Sequence, residues 1–144
     1  MSYFEEIEFL NRVEEETSNR EKLNNDEIQK IKLKYKNLTD EYLDYLKYIG
    51  WGTFRESQFM VYKELLTPSD LDMDMEDVED YDDIKELVFF GDDLAGTMAG
   101  FDLKGNGKII EMHEGTEIYE TGQTFKEYIK KKMLMDENGN DLSE

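Results

Sequence analysis

The run Asp70-Leu-Asp72-Met-Asp74 places carboxylates on alternate residues, the way a calcium-binding loop begins. Its sixth position is Met75, where the sharp turn needs glycine, and its twelfth is Tyr81, where a bidentate glutamate belongs. A second candidate from Asp102 has Lys104 at its third position and His113 at its twelfth. Neither spacing builds a calcium site, and weak, loose cation binding by the acidic run is the alternative. His113, the one histidine, could serve as a general base beside Glu114. It has no second histidine with which to hold a metal, and it closes a strand-like segment, so it reads as a half-exposed strand residue. Ser57 and Ser69 stand in no nucleophile setting. Carboxylate pairs could hold a metal for hydrolysis or act as acid and base on a sugar. With 36 Asp and Glu in the chain, such pairs arise without design, and they read as a solvated face. Trp51 and the tyrosines of residues 35–51 could cage a ligand, but at helical spacing they read as core. Gly100-Phe-Asp-Leu-Lys-Gly-Asn-Gly107 lacks the spacing of a phosphate loop. We therefore expect no catalytic residue, no metal and no cofactor.

Composition narrows the classes further. The chain has 144 residues, no cysteine and a formal net charge of −19. Without cysteine there is no disulfide, thiolate nucleophile, Cys-ligated zinc or iron–sulfur cluster. No window is apolar enough for a membrane helix, and the acidic opening MSYFEEIEFL lacks the basic start of a secretory signal. The charge repels phosphate backbones and anionic lipid. The expected setting is the cytoplasm, with neither nucleic acid nor membrane as partner.

The charge is uneven. Residues 25–69 hold seven acids and seven bases, whereas residues 70–93 hold twelve acids and one base. One sixth of the chain thus carries −11 of the −19.

Those residues must be positioned by a scaffold. Tyr3, Phe4, Ile7, Leu10 and Val13 recur at helical spacing. Ile28, Ile31 and Tyr35 do the same from Asp26 to Lys36. Thr39 is a good N-cap, with Asp40 and Glu41 in the first turn and Leu38 and Leu43 as a hydrophobic staple. The helix it opens buries Tyr42, Tyr45, Leu46 and Ile49 and ends at Gly50, and Trp51-Gly52 turns the chain. Residues 58–63 read as a strand, Thr67-Pro68-Ser69 as a turn, and 72–83 as irregular. Leu87–Phe90 is a buried strand, residues 96–103 the next, and Asn106-Gly107 the turn to a hairpin partner at 108–113. A short strand is placed at 117–119. Thr124-Phe-Lys-Glu127 is a capping box for a last helix burying Phe125, Tyr128, Ile129 and Met133. The fold class is α+β, with a single domain over 1–135 and a polar, frayed C-terminal tail over 136–144.

Three ordered segments resemble the SUKH superfamily (the Smi–Knr type). They are Leu38-Thr-Asp-Glu-Tyr-Leu-Asp-Tyr-Leu-Lys-Tyr-Ile-Gly-Trp-Gly52, then Leu87-Val-Phe-Phe-Gly-Asp-Asp-Leu-Ala-Gly-Thr-Met-Ala-Gly-Phe-Asp102, and finally Lys108–His113 followed by Thr124–Leu134. The set covers about residues 24–134. The family's usual Leu-Pro is here Leu38-Thr39. The resemblance implies helices packed on a central mixed or antiparallel sheet. It also implies kinship with bacterial immunity proteins, which bind and neutralise a cognate toxin, often a nuclease, and with fungal cell-wall regulators. The matching motifs are structural, so no catalytic residue is carried over.

Acidic character supplies an independent argument. Nuclease toxins are basic because they grip phosphate, and an acidic inhibitor is steered toward such a surface. The expected partner-binding residues are Asp72, Asp74, Asp77, Asp80, Tyr81, Asp82, Asp83, Asp92 and Asp93, with Tyr81 as aromatic anchor. The alternative is an intracellular regulatory or scaffold domain of the same fold that binds a protein partner without a toxin.

Overall fold

A computed structural model describes residues 3–14, 20–35, 37–54, 59–67, 70, 87–103, 107–113 and 117–142. Among these, seven strands form one antiparallel sheet in sequence order: β1 Arg20–Glu21, β2 Trp51–Phe54, β3 Phe59–Leu66, β4 Leu87–Asp92, β5 Met98–Asp102, β6 Ile109–His113 and β7 Glu117–Glu120. The helices are α1 Phe4–Val13, α2 Asn25–Lys34, α3 Asp40–Tyr48 and α4 Phe125–Lys132. The α+β class and the sheet with helices packed on it are as the sequence implies, and every strand pair is antiparallel.

The caps explain where three helices begin. Thr39 accepts the Tyr42 amide, and Thr124 and Glu127 close a reciprocal box around the first turn of α4. A second capping box, between Asn24 and Glu27, starts α2. Gly50 follows α3 at φ +104°, and a Cβ there would stand 2.3 Å from the Glu21 carbonyl oxygen. Glycine is therefore required twice over, by the left-handed backbone and by the close passage of β1.

One core lies between the helices and the sheet. Tyr42, Phe59, Phe90, Phe101, Phe125 and Tyr128 meet there, with Phe90 within 5.0–6.2 Å, ring centre to ring centre, of the other five. A smaller cluster of Leu87, Phe89, Ile110 and Met112 is also buried. These residues alternate with the helix-facing Val88, Phe90 and Ile109, so they lie on the opposite face of the sheet. That accounts for the unbroken apolar run of β4, which is buried on both faces.

Several local expectations change. Trp51-Gly52 does not simply turn the chain but begins β2, which pairs with β1 on one side and β3 on the other. In α1 the buried side chains are Glu6, Phe9 and Leu10, and Phe4 is 64% exposed. The segment after α4 is not frayed as far as Leu142. Met135 is buried and bridges to Asp141, the Leu142 amide donates to the Leu134 carbonyl, and Arg12 of α1 donates to the Gly139 carbonyl.

Candidate functional site

Of the nine expected partner-binding residues, Asp72, Asp74, Asp77, Asp80, Tyr81, Asp82 and Asp83 lie outside the described residues. Asp92 and Asp93 are described, at the end of β4 where the chain turns into β5. The acidic run rejoins the described chain at Leu87, the other end of the same strand, roughly 17 Å away at about 3.3 Å per residue. Asp70, at the near end of the run, accepts hydrogen bonds from the Thr67 amide and hydroxyl. Those bonds hold its carboxyl below the usual aspartate range.

The turn at Asp92–Thr97 is built by its own carboxylates. Asp92 accepts from the Leu94 amide at 2.8 Å and from the Tyr62 hydroxyl on β3. Asp93 accepts from the Ala95 and Thr97 amides at 2.9 and 3.0 Å. Partial burial would raise the Asp93 pKa, but the two amides and the positive charge of Lys132 outweigh it, and the net direction is down. The turn carries Leu94 at φ +64°, 51% exposed, between these acids and Gly96. A half-exposed leucine is thus held in left-handed geometry directly after two carboxylates.

The sheet register continues this end of the molecule. Asp92 pairs with Met98, Met98 with Met112, and Met112 with Ile118. The ends of β4 and β6 are therefore level. Glu111 of β6 accepts the Tyr128 hydroxyl of α4 at 2.7 Å, with the Lys132 ammonium at 3.9 Å and His113 Nε2 at 3.4 Å. Burial, together with the bond to Glu111, pushes the Tyr128 phenol well above its ordinary value. The His113 ring stands edge-on to Tyr119, with ring centres 4.8 Å apart. Both rings are partly open to solvent, His113 at 41% of its side chain and Tyr119 at 50% of the residue. The half-exposed strand setting expected for His113 is what the structure shows, with Glu111 as its partner; Glu114 lies outside the described residues.

Sequence reasoning missed Glu111, Tyr128 and Lys132 as a group. Their meeting depends on α4 crossing β6, and no local pattern encodes that crossing. Chemically, the group is a carboxylate already engaged by a phenol, an ammonium and an imidazole. It fastens the last turns of α4 to the sheet beside the acidic turn. Among the described residues no three acidic or imidazole side chains converge as a cation site, and no helix is long and apolar enough to cross a membrane.

No curated protein and no solved structure matches the chain. The model of the SMI1 / KNR4 family (SUKH-1) matches residues 22–131, from just after β1 into α4. That span is most of the chain, and the protein belongs to this family.

Proposed function

From that membership, we propose that the protein is an immunity protein. It would bind a cognate toxin domain in the cytoplasm of the producing cell and neutralise it by covering its active or substrate-binding surface. The partner this fits best is basic, as a nuclease is. The protein would act by occupation rather than by catalysis. The observation that carries the reading is the concentration of −11 of the −19 charge in residues 70–93 of a SUKH-1 domain. A cleft lined by basic side chains attracts such a surface at long range, and steering can raise association about 10–1000-fold. Asp72, Asp74, Asp77, Asp80, Tyr81, Asp82 and Asp83 are the proposed contacts on the acidic run, and Asp92 and Asp93 on the turn. Leu94, half exposed directly after Asp93, would supply the desolvated apolar contact that charge alone does not.

The test begins with the reading frame next to this gene. Co-expression of its C-terminal domain with the protein should rescue growth. Stopped-flow association of the purified pair should slow when Asp77, Asp80 and Asp82 are reversed to Lys, and its salt dependence should shrink. Rescue with unchanged association at low salt would reject the acidic run as the contact. A neighbouring domain that is harmless when expressed alone would reject the toxin.

A further inference from the structure

Among the described residues the helices occupy only one face of the sheet. Leu87, Phe89, Ile110 and Met112 point to the other face, and no described helix side chain belongs to their cluster. Tyr62, Leu66, Met98 and Ile118 pack at its margins, so the apolar surface runs from β3 to β7. At its centre Phe89 pairs with Gly100 and Gly100 with Ile110, and a Cβ on Gly100 would stand 3.0 Å from the Phe89 ring. Within the single chain Phe89 is 0% exposed, and Leu87, Ile110 and Met112 are 3%, 5% and 8% exposed. Side chains standing side by side on a sheet face leave their tips open. Burial this complete needs a further layer over them.

The geometry points to residues 71–86 as that layer, with Leu71, Met73, Met75, Val78 and Ile84 seated on the apolar face and the carboxylates turned to solvent. Only this segment has the length, since the other undescribed stretches hold at most five residues each. β3 and β4 are antiparallel neighbours, a pair that about two to five residues can join, yet twenty residues separate Leu66 from Leu87. The face from β3 to β7 is roughly 19 Å wide at about 4.8 Å between strands, and residues 71–86 fully extended would reach about 50 Å, enough to cross it and return. The chain leaves and rejoins at the right place. Leu66 of β3 pairs with Phe89 and borders the cluster, and Leu87, where the described chain resumes, is a member of it. Composition agrees. Residues 71–86 hold nine acids, one lysine and six apolar side chains, and none of the Gly, Pro, Ser or Asn of an open loop. The apolar residues recur every two or three positions, as a segment with one buried and one solvated side requires. Tyr81 is the sixth of them and stays with the proposed partner contacts. The acids are thereby held on a packed support before any partner arrives, which lowers the ordering cost of association. The packing does not rest on the toxin reading, and its test uses no toxin.

The chain has no cysteine, so Glu79→Cys gives a single site for a nitroxide label on the full chain. In NMR spectra the label should broaden the Phe89, Ile110, Met112 and Ile118 side-chain signals several-fold more than those of Ile28, Leu46 and Ile129 on the helix face. Equal or weaker broadening on the far face would overturn the assignment. So would broadening between chains, when nitroxide-labelled protein is mixed with isotope-labelled protein that carries no nitroxide, because the segment of a second copy would then be the cover. The second measurement is the binding of a dye that emits on apolar surface. Met73→Ser with Val78→Ser should uncover the face, raise the dye emission several-fold and lower the urea midpoint. Glu76→Ser with Glu79→Ser should leave the dye emission at the level of the unaltered protein. Emission and midpoint unchanged in the first pair would overturn the assignment. Should that pair fail to fold, the nitroxide result decides.

Discussion

Replacing Glu6 by methionine should leave the protein as stable as before or more so, whereas replacing Lys126 by methionine should destabilise it. Glu6 is fully buried in α1, and neither carboxylate oxygen has a hydrogen-bond partner. Among the described residues its ion-pair partner is the Lys126 ammonium of α4, at 3.8 Å, on a side chain about one-third exposed. At that separation, with an effective dielectric near 20, the attraction is roughly 4 kcal/mol. Burying the carboxylate costs several kcal/mol, so the pair comes out close to even. Methionine at position 6 removes both terms and fills the site with a flexible apolar chain, for a gain of about 0–2 kcal/mol. Methionine at position 126 removes only the attraction. It strands a buried carboxylate, and it also removes the ammonium that lies 5.4 Å from the Tyr3 ring centre. A stranded buried charge costs about 3–5 kcal/mol, and partial exposure of the lysine lowers the expected loss to about 2 kcal/mol. The double variant should recover most of that loss. Urea denaturation of the four proteins closes the cycle. The reasoning fails if Glu6→Met costs more than about 2 kcal/mol, or if Lys126→Met is neutral.

Three further outcomes follow from the same structure. Gly50→Ala should cost about 3 kcal/mol or more, because the added methyl meets the Glu21 carbonyl oxygen and the residue sits at positive φ; thermal melts would show it. Tyr42→Phe should be neutral or stabilising by about 1 kcal/mol, because the phenol oxygen is buried with no hydrogen-bond partner, and urea midpoints would decide. Asp93 is held below the ordinary aspartate range when folded, so its contribution is complete above the unfolded pKa, about 3.9, and fades as pH falls through the lower folded value. Asp93→Ala should therefore lose about 1 kcal/mol at pH 7 and progressively less below pH 4, and urea midpoints at both pH values would show the difference closing.

What was legible in the sequence was local. The Thr39 cap, the Thr124–Glu127 box and the Gly50 terminus each act within a few residues, and all appear as expected. The strands from Leu87 to Glu120 were legible because tight connections separate their apolar runs. β1 was not, since two residues carry no period and exist as a strand only because β2 lies alongside. On α1 the expected stripe holds at Tyr3 and Leu10, which are buried, and at Ile7 and Val13, which pack against the core; Phe4 fits the same spacing but is exposed, and Phe9 and Glu6 are buried where the spacing did not place them. The Glu111 group depends on a helix crossing a strand, and the charges there look like any solvated face.

The sheet order has a consequence for synthesis. Every strand pairs with its neighbours in sequence, so each can join the sheet soon after it leaves the ribosome, without waiting for a distant partner. α1 is the exception. Tyr3 donates to the Glu41 carbonyl early in the chain, but Lys126 approaches Glu6 from α4, and Arg12 reaches a carbonyl 127 residues away. α1 is thus secured by segments that emerge long after it, and a chain arrested before α4 would carry its sheet without that clasp.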